Sequence, residues 1–265
     1  MAAYVPEDRA IAFRSFAEHI AIKAGLITLE YYRGEFTTEF KADRSPVTIA
    51  DRAAETFLRN EISTRFPDHG IIGEEFGETA GVVTEESQEE KYTWVLDPID
   101  GTKSFIHGIP LYTVLVALLL NQEPILGVIH NPALGETVSA VRGHGCLFNG
   151  ELCQVSSCER IEDARLQLTD PADFFRREPH LATRLFEKVG FLRTWGDAYG
   201  YMLVDTGRAE IMIDPVLSVW DVAALAPIIE EAGGTFSDIE GRCTGLGTSA
   251  VAAPAALHKA VMALR

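Results

Sequence analysis

The 265-residue chain is short of several things, and each shortage excludes a class of protein. Only four cysteines are present, Cys146, Cys153, Cys158 and Cys243, with no Cys-x-x-Cys pair and no histidine at zinc-ligand spacing. That pattern excludes a zinc-ribbon module and leaves reduced, partly buried thiols in a cytoplasmic protein as the expectation. Basic residues are scarce, 23 Lys and Arg against 39 Asp and Glu, for a formal charge of −16. A nucleic-acid partner needs clustered cations to displace counterions, so the balance counts against one. Long apolar runs are missing too. The longest, 114–120, is far short of the roughly 20 residues that a bilayer helix needs, so no membrane partner is expected. The first residues carry no basic-then-apolar leader pattern.

What is present is ordinary for a soluble globular chain: 47% hydrophobic and 23% charged residues, enough to bury a sizeable core. Apolar spacing predicts helices over 7–32 and 48–66, the second ending before Pro67. The segment 34–46, with Lys41, reads as a mobile loop, and 79–91 as an acidic, exposed excursion. Short strands are expected at 70–73, 92–96, 113–120, 125–130 and 136–142, separated by turn residues at 121–124, 131–132 and 143–145. Strands this closely spaced leave no room for helical crossovers, so they should form a largely antiparallel meander. Further strands are expected at 165–168, 191–194 and 209–213, with helices at 180–189, 198–206, 219–232 and 254–264. The class is α+β: one domain over 1–265 with two packed lobes, about 1–150 and 151–265, and helices layered on sheets.

Chemistry concentrates in Leu96-Asp97-Pro98-Ile99-Asp100-Gly101-Thr102. An apolar strand delivers two carboxylates three residues apart, Pro98 stiffens the turn between them, and Gly101 permits close approach. Thr102 opens what reads as a short helix, whose free N–H groups could hold a phosphate. Two acids facing an anion repel it unless cations lie between them, and paired carboxylates suit a hard ion such as Mg²⁺. Asp-x-x-Asp alone is a short motif, and helix-capping acids at a strand end would also produce it. Gly73-Glu74-Glu75 ends another apolar run. Asp221, after Trp220, stands at a helix start, where an N-cap would account for it; Asp51 could be a surface acid of the second helix. Their joint occurrence is what points to a site.

Taken together, Gly-Glu-Glu at 73–75, Leu-Asp-Pro-Ile-Asp-Gly-Thr at 96–102, and Trp-Asp at 220–221 followed by Glu-Ala-Gly-Gly resemble the inositol monophosphatase family of lithium-sensitive, magnesium-dependent phosphatases. Lys41, Asp51 within the 45–51 segment, and Gly196 are weaker matches. The resemblance covers most of the chain and implies a layered αβαβα sandwich of the inositol monophosphatase and sugar phosphatase type, acting on a small-molecule phosphate monoester, and a homodimer. It implies that Glu74, Asp97 and the Ile99 carbonyl hold a first Mg²⁺, and that Asp97, Asp100 and Asp221 hold a second, with Glu74 sharing a third. The amides of Gly101 and Thr102 would bind phosphate, Thr102 oriented by Asp51 would help activate water beside Glu74, and Lys41 would close over the site.

Substrate choice rests on the surrounding residues. The stretches 101–110, 194–201 and 206–215 resemble the histidinol-phosphate phosphatase branch. Asp197 suits the ammonium of that substrate, with Asp221 nearby; capping the following helix is an equally simple role for Asp197. Asp205 departs from the small residue of that branch. The rivals are an inositol-1-phosphatase or broader sugar phosphatase, an adenosine 3′,5′-bisphosphate phosphatase, and a metal-binding homologue without turnover.

Overall fold

The computed structural model describes residues 5–34, 39–40, 46–82 and 90–265. Lys41, most of the 34–46 loop, and 83–89 of the acidic excursion lie outside these residues.

The first helix, α1 (Glu7–Tyr31), turns Phe13, Ala17, Ile20, Ala21 and Ala24 to one buried stripe. A two-stranded ribbon follows, β1 (Glu39–Phe40) against β2 (Pro46–Val47). Thr48 caps α2 (Ile49–Arg65): its Oγ1 accepts the Ala50 N–H, while Asp51 accepts the Thr48 N–H. Next come β3 (Gly70–Gly73), β4 (Gly77–Thr79), β5 (Tyr92–Asp100) and the short α3 (Thr102–Ile106). The strands β6 (Thr113–Leu120), β7 (Glu123–Asn131), β8 (Glu136–Val141), β9 (Cys146–Phe148) and β10 (Glu151–Leu152) complete an eight-stranded sheet. Its order is β10-β9-β8-β7-β6-β5-β3-β4, with every pair antiparallel except β3 and β5. That exception sets Gly73 beside Leu96, so Glu74 arrives next to Asp97.

The second sheet uses β11 (Arg165–Leu168), β12 (Phe191–Arg193), β13 (Ile211–Asp214), β14 (Gly234–Ser237) and β15 (Ala250–Pro254) in the order β12-β11-β13-β15-β14. Its helices are α4 (Pro171–Arg177), α5 (Pro179–Lys188), α6 (Asp197–Asp205), α7 (Val219–Val222), α8 (Leu225–Glu231) and α9 (Ala255–Met262).

Three apolar seams fix the layers. Trp94, Leu96, Val114, Val116 and Leu118 pack beneath α1 and α2 on the outer face of the first sheet. The alternate residues Val95, Leu115, Ala117 and Leu119 face inward, where α6 and α8 separate the two sheets. Leu166, Leu168, Ile211 and Ile213 bury the far face of the second sheet under α4, α5 and α9. The result is the αβαβα sandwich, with a largely antiparallel first sheet.

One expected element divides. The helix predicted over 219–232 is two, α7 and α8, with Ala223 and Ala224 between them. Pro227 has no N–H for the Ala223 carbonyl, and its ring crowds that turn of helix. The break matters to packing, because the Ala224 carbonyl lies where a side chain at Gly127 of β7 would stand, 2.1 Å from its Cβ position.

Candidate active site

The strand β5 does not end at Leu96 but runs on through Asp100, and its irregularity makes the site. Residues three apart on a regular strand point to opposite faces. Here Asp97 pairs with Leu115 and Asp100 with Thr113, so two residues of β5 stand against one of β6. This bulge turns Asp97 and Asp100 toward one another. Asp221 reaches them from the third position of α7, with Oδ2 accepting the Ser218 N–H at 2.7 Å; it is not an N-cap. One carboxylate oxygen from each of Asp97, Asp100 and Asp221 lies within 4.8 Å of the others. Glu74, held through its N–H to the Leu96 carbonyl at 3.2 Å, stands at hydrogen-bond distance from the Asp97 carboxyl.

Electrostatics make the group anomalous. Burial, then the charges of Glu74, Asp100 and Asp221, hold the Asp97 carboxyl well above the ordinary range. Burial, then Asp197 and Asp221, do the same to Asp100, although the Ala198 N–H donates to it at 2.6 Å. Asp221 is pushed up to about 6, chiefly by burial. Among the described residues no Lys or Arg pairs with any of the three, and the main charges acting on them are other acids. An all-oxygen donor set of mutually repelling acids fits a hard divalent cation, whose charge would remove that repulsion.

The phosphate side is built around Gly101. Its φ of 81° is left-handed, and a Cβ there would come within 3.0 Å of Asp197 Oδ2. It leads into α3, where Thr102 Oγ1 donates to the Ile99 carbonyl at 3.1 Å. Asp51 and Thr102 are not bonded to each other. Asp51 is buried, not a surface acid; its Oδ2 accepts from Thr48 N and Oγ1 at 2.8 and 2.6 Å, and its Oδ1 has no hydrogen-bond partner. Burial raises its carboxyl to about 7.

Asp197 does not cap the helix that follows. It is the first residue of α6, at a left-handed φ of 53°, and its side chain makes no cap bond. Its N–H donates to Thr169 Oγ1 at 2.8 Å, and burial raises its carboxyl to about 6, against a lowering pull from Lys103. It lies on the wall shared by two spaces: a small cavity of ≈ 130 Å³ with Asp100, Asp214 and Asp221, and a cleft of ≈ 440 Å³ over Gly101, Thr102, Lys103 and Thr194. Asp205 faces neither solvent nor cleft. It is fully buried at the end of α6 with both carboxylate oxygens unpartnered, and burial, then the Cys153 charge, raise its carboxyl.

Sequence reasoning assigned no role to Asp214. It ends β13 and accepts from Tyr201 OH at 3.1 Å, and burial raises it to about 7 against a lowering pull from Thr169. An available signal is the repeated form of the two strand ends, Leu96-Asp97-Pro98 and Ile213-Asp214-Pro215.

A model described as the inositol monophosphatase family matches residues 12–265. A histidinol-phosphatase from Chlorobaculum parvum is 44% identical over 229 residues, covering 85% of this chain and 85% of its own. Another from Mycobacterium tuberculosis is 37% identical, covering 84% of this chain and 85% of its own. The solved structure of an inositol monophosphatase from Zymomonas mobilis is similar at a TM-score of 0.82 and 32% identity, covering 96% of this chain and 97% of that one. The matched range spans both sheets, and the chain is accordingly a phosphoric monoester hydrolase that belongs to the inositol monophosphatase family.

Proposed function

We propose that this phosphatase is Mg²⁺-dependent and hydrolyses L-histidinol phosphate to L-histidinol and phosphate. Asp97, Asp100, Asp221, Glu74 and the Ile99 carbonyl would hold Mg²⁺ ions, which when bound supply Lewis-acid chemistry: an acidified water and charge balance for the phosphoryl oxygens. The chain's own residues do the rest. Gly101, free of a side chain, lets the ester approach the backbone at the start of α3, where the N–H groups of Gly101 and Thr102 can receive phosphate oxygens. Thr102 Oγ1 sits beside the Ile99 carbonyl, placed to orient the attacking water. Asp51, buried on α2 with its Oδ1 unpartnered, would serve as the proton acceptor for that arrangement. The first lobe carries most of these groups and the second contributes Asp221, so both are needed in one catalytic unit.

The observation that carries the substrate is Asp197. A non-glycine residue is held in a strained left-handed conformation, makes no helix cap, and borders both the acid trio and the cleft. Asp214 reinforces it across the small cavity. Two buried acids near neutrality suit a substrate that carries an ammonium and an imidazole, since a cation favours their ionised forms. The similarity to histidinol-phosphatases from two organisms supports the same reading. Inositol 1-phosphate is the second reading, favoured by the likeness to the Zymomonas mobilis enzyme. Initial rates in Mg²⁺ on histidinol phosphate, inositol 1-phosphate and adenosine 3′,5′-bisphosphate separate them. Histidinol phosphate should have the highest kcat/KM, and Asp197→Asn should lower that value by about 10- to 100-fold, as loss of a charged hydrogen bond does, while sparing inositol 1-phosphate. A higher kcat/KM on inositol phosphate in the wild type would reject the assignment.

A further inference from the structure

Glu55 makes no contact with the acid trio, yet it is one of the most completely engaged carboxylates in the molecule. It lies on α2, one helical turn after Asp51, and is 0% exposed. Its Oε2 accepts the Glu75 N–H at 2.7 Å. Its Oε1 accepts the Phe76 N–H at 3.2 Å and Arg59 Nε at 2.7 Å. Arg59 extends the same grip, donating to Thr79 Oγ1 at 3.0 Å and to the Gly77 carbonyl. The turn between β3 and β4 is thus fastened from α2, and Glu74 is its first residue.

Residue 73 shows how closely the parts fit. A Cβ at Gly73 would lie 2.1 Å from Glu55 Oε1, 2.5 Å from its carboxyl carbon and 2.8 Å from an Arg59 guanidinium nitrogen. Glycine at this position leaves the space that the Glu55 carboxylate fills. On the other side of Glu74 the chain is pinned by its N–H to the Leu96 carbonyl, one residue before Asp97. Glu74 therefore stands between two anchors, a backbone bond to β5 and a side-chain clamp from α2.

We propose that Glu55 is a positioning residue for the metal site: it fixes the 73–76 backbone so that the Glu74 carboxylate is preorganised beside Asp97. The inference rests on the reading of Glu74 as a Mg²⁺ ligand. A carboxylate is the right group because three N–H donors converge on it and it has no proton to oppose them. Glutamine fills the same volume but turns two donors into a place that already holds three. Residues that orient metal ligands through hydrogen bonds act on metal affinity more than on the chemical step.

The experiment measures Mg²⁺ binding by titration calorimetry on the full-length protein, alongside the Mg²⁺ concentration for half-maximal hydrolysis and kcat at saturating Mg²⁺. Glu55→Gln should weaken Mg²⁺ binding by about 10- to 100-fold, the range seen when a ligand's supporting partner is lost, and leave saturating kcat within about threefold. Gly73→Ala should produce the same weakening by pushing the Glu55 carboxylate aside. In the double variant Gly73→Ala with Glu55→Ala, the methyl group meets only the Arg59 guanidinium, a flexible group released from Glu55, and the loss should equal that of Glu55→Ala alone. Glu74→Gln serves as the reference. If it weakens Mg²⁺ binding while Glu55→Gln leaves it within about twofold, the clamp is wrong and the ligand reading stands. If Glu74→Gln changes nothing, both fall. A Gly73→Ala loss that adds in full to that of Glu55→Ala would also overturn the proposal, and this comparison holds even if Glu55→Gln folds poorly.

Discussion

Two regions of this protein bury acids, and they do so in opposite ways. Just before β13, the central strand of the second sheet, Glu210 is nearly fully buried, and burial pushes its carboxyl up. The hydrogen bonds from Arg165, through its backbone N–H at 2.7 Å and its Nε at 2.9 Å, outweigh that and hold it below the ordinary range. At the bulged end of β5, Asp97, Asp100 and Asp221 are held above it because the charges around them are more acids. Burial is common to both, so burial does not mark the site. The difference is the missing countercharge, which folding leaves to be supplied from outside.

The comparison breaks most sharply at Asp97. Replacing it with Asn should lower kcat/KM by on the order of 10³-fold or more with little loss of far-UV circular dichroism, since it removes a proposed metal ligand and relieves repulsion in the same step. Turnover near wild type in that variant would show that the trio is structural.

Stability against pH gives the next largest effect. Without Mg²⁺ the trio's folded carboxyls sit above their unfolded values. Their contribution is therefore fully present below the unfolded range near pH 4 and is lost as pH rises through the folded values, about 6 for Asp221. Mg²⁺ needs the ionised acids, so its stabilisation should run the other way, growing between about pH 5 and pH 8. At 100-fold excess over its dissociation constant, Mg²⁺ should add about 2.7 kcal/mol, or roughly 5 °C in Tm, at the upper pH and much less at the lower. Differential scanning fluorimetry at both pH values, with and without Mg²⁺, reads this directly. A Tm gap that shrinks with pH would contradict it.

Glu210→Gln should have the smallest effect of the three. It leaves the partly exposed Arg165 half-unpaired and should cost about 1–2 kcal/mol in urea unfolding, discounted for the solvent around Arg165, with kcat/KM unchanged. A fall in activity matching that of Asp97→Asn would mean that the two regions are not distinct in function.

The chemistry of the trio is legible from sequence because Asp97 and Asp100 lie in one local motif. Their convergence is less so, since it depends on a bulge set by the register of β5 against β6. Asp221 was readable as an acid at a helix start, although Pro227 should have marked the split in the 219–232 helix. Asp214 and Glu55 were given no role because their functions come only from tertiary neighbours: Tyr201 and Thr169 for one, the 73–76 backbone for the other. The unpredicted β15, Ala250-Val-Ala-Ala-Pro254, has weak strand propensity, and the tertiary context overrides it. Its alanines are buried on both faces, in the seams under α6 and α8 and under α9, where small residues fit.

The central claim, that the uncompensated acids form a divalent-cation site, is tested most directly by crystals grown or soaked in Mn²⁺, an anomalous scatterer that takes the oxygen ligands of Mg²⁺. Anomalous peaks are expected within bonding distance of Asp97, Asp100 and Asp221, with Glu74 on one of the ions. Peaks confined to other acids, with the trio still unligated at saturating Mn²⁺, would contradict it.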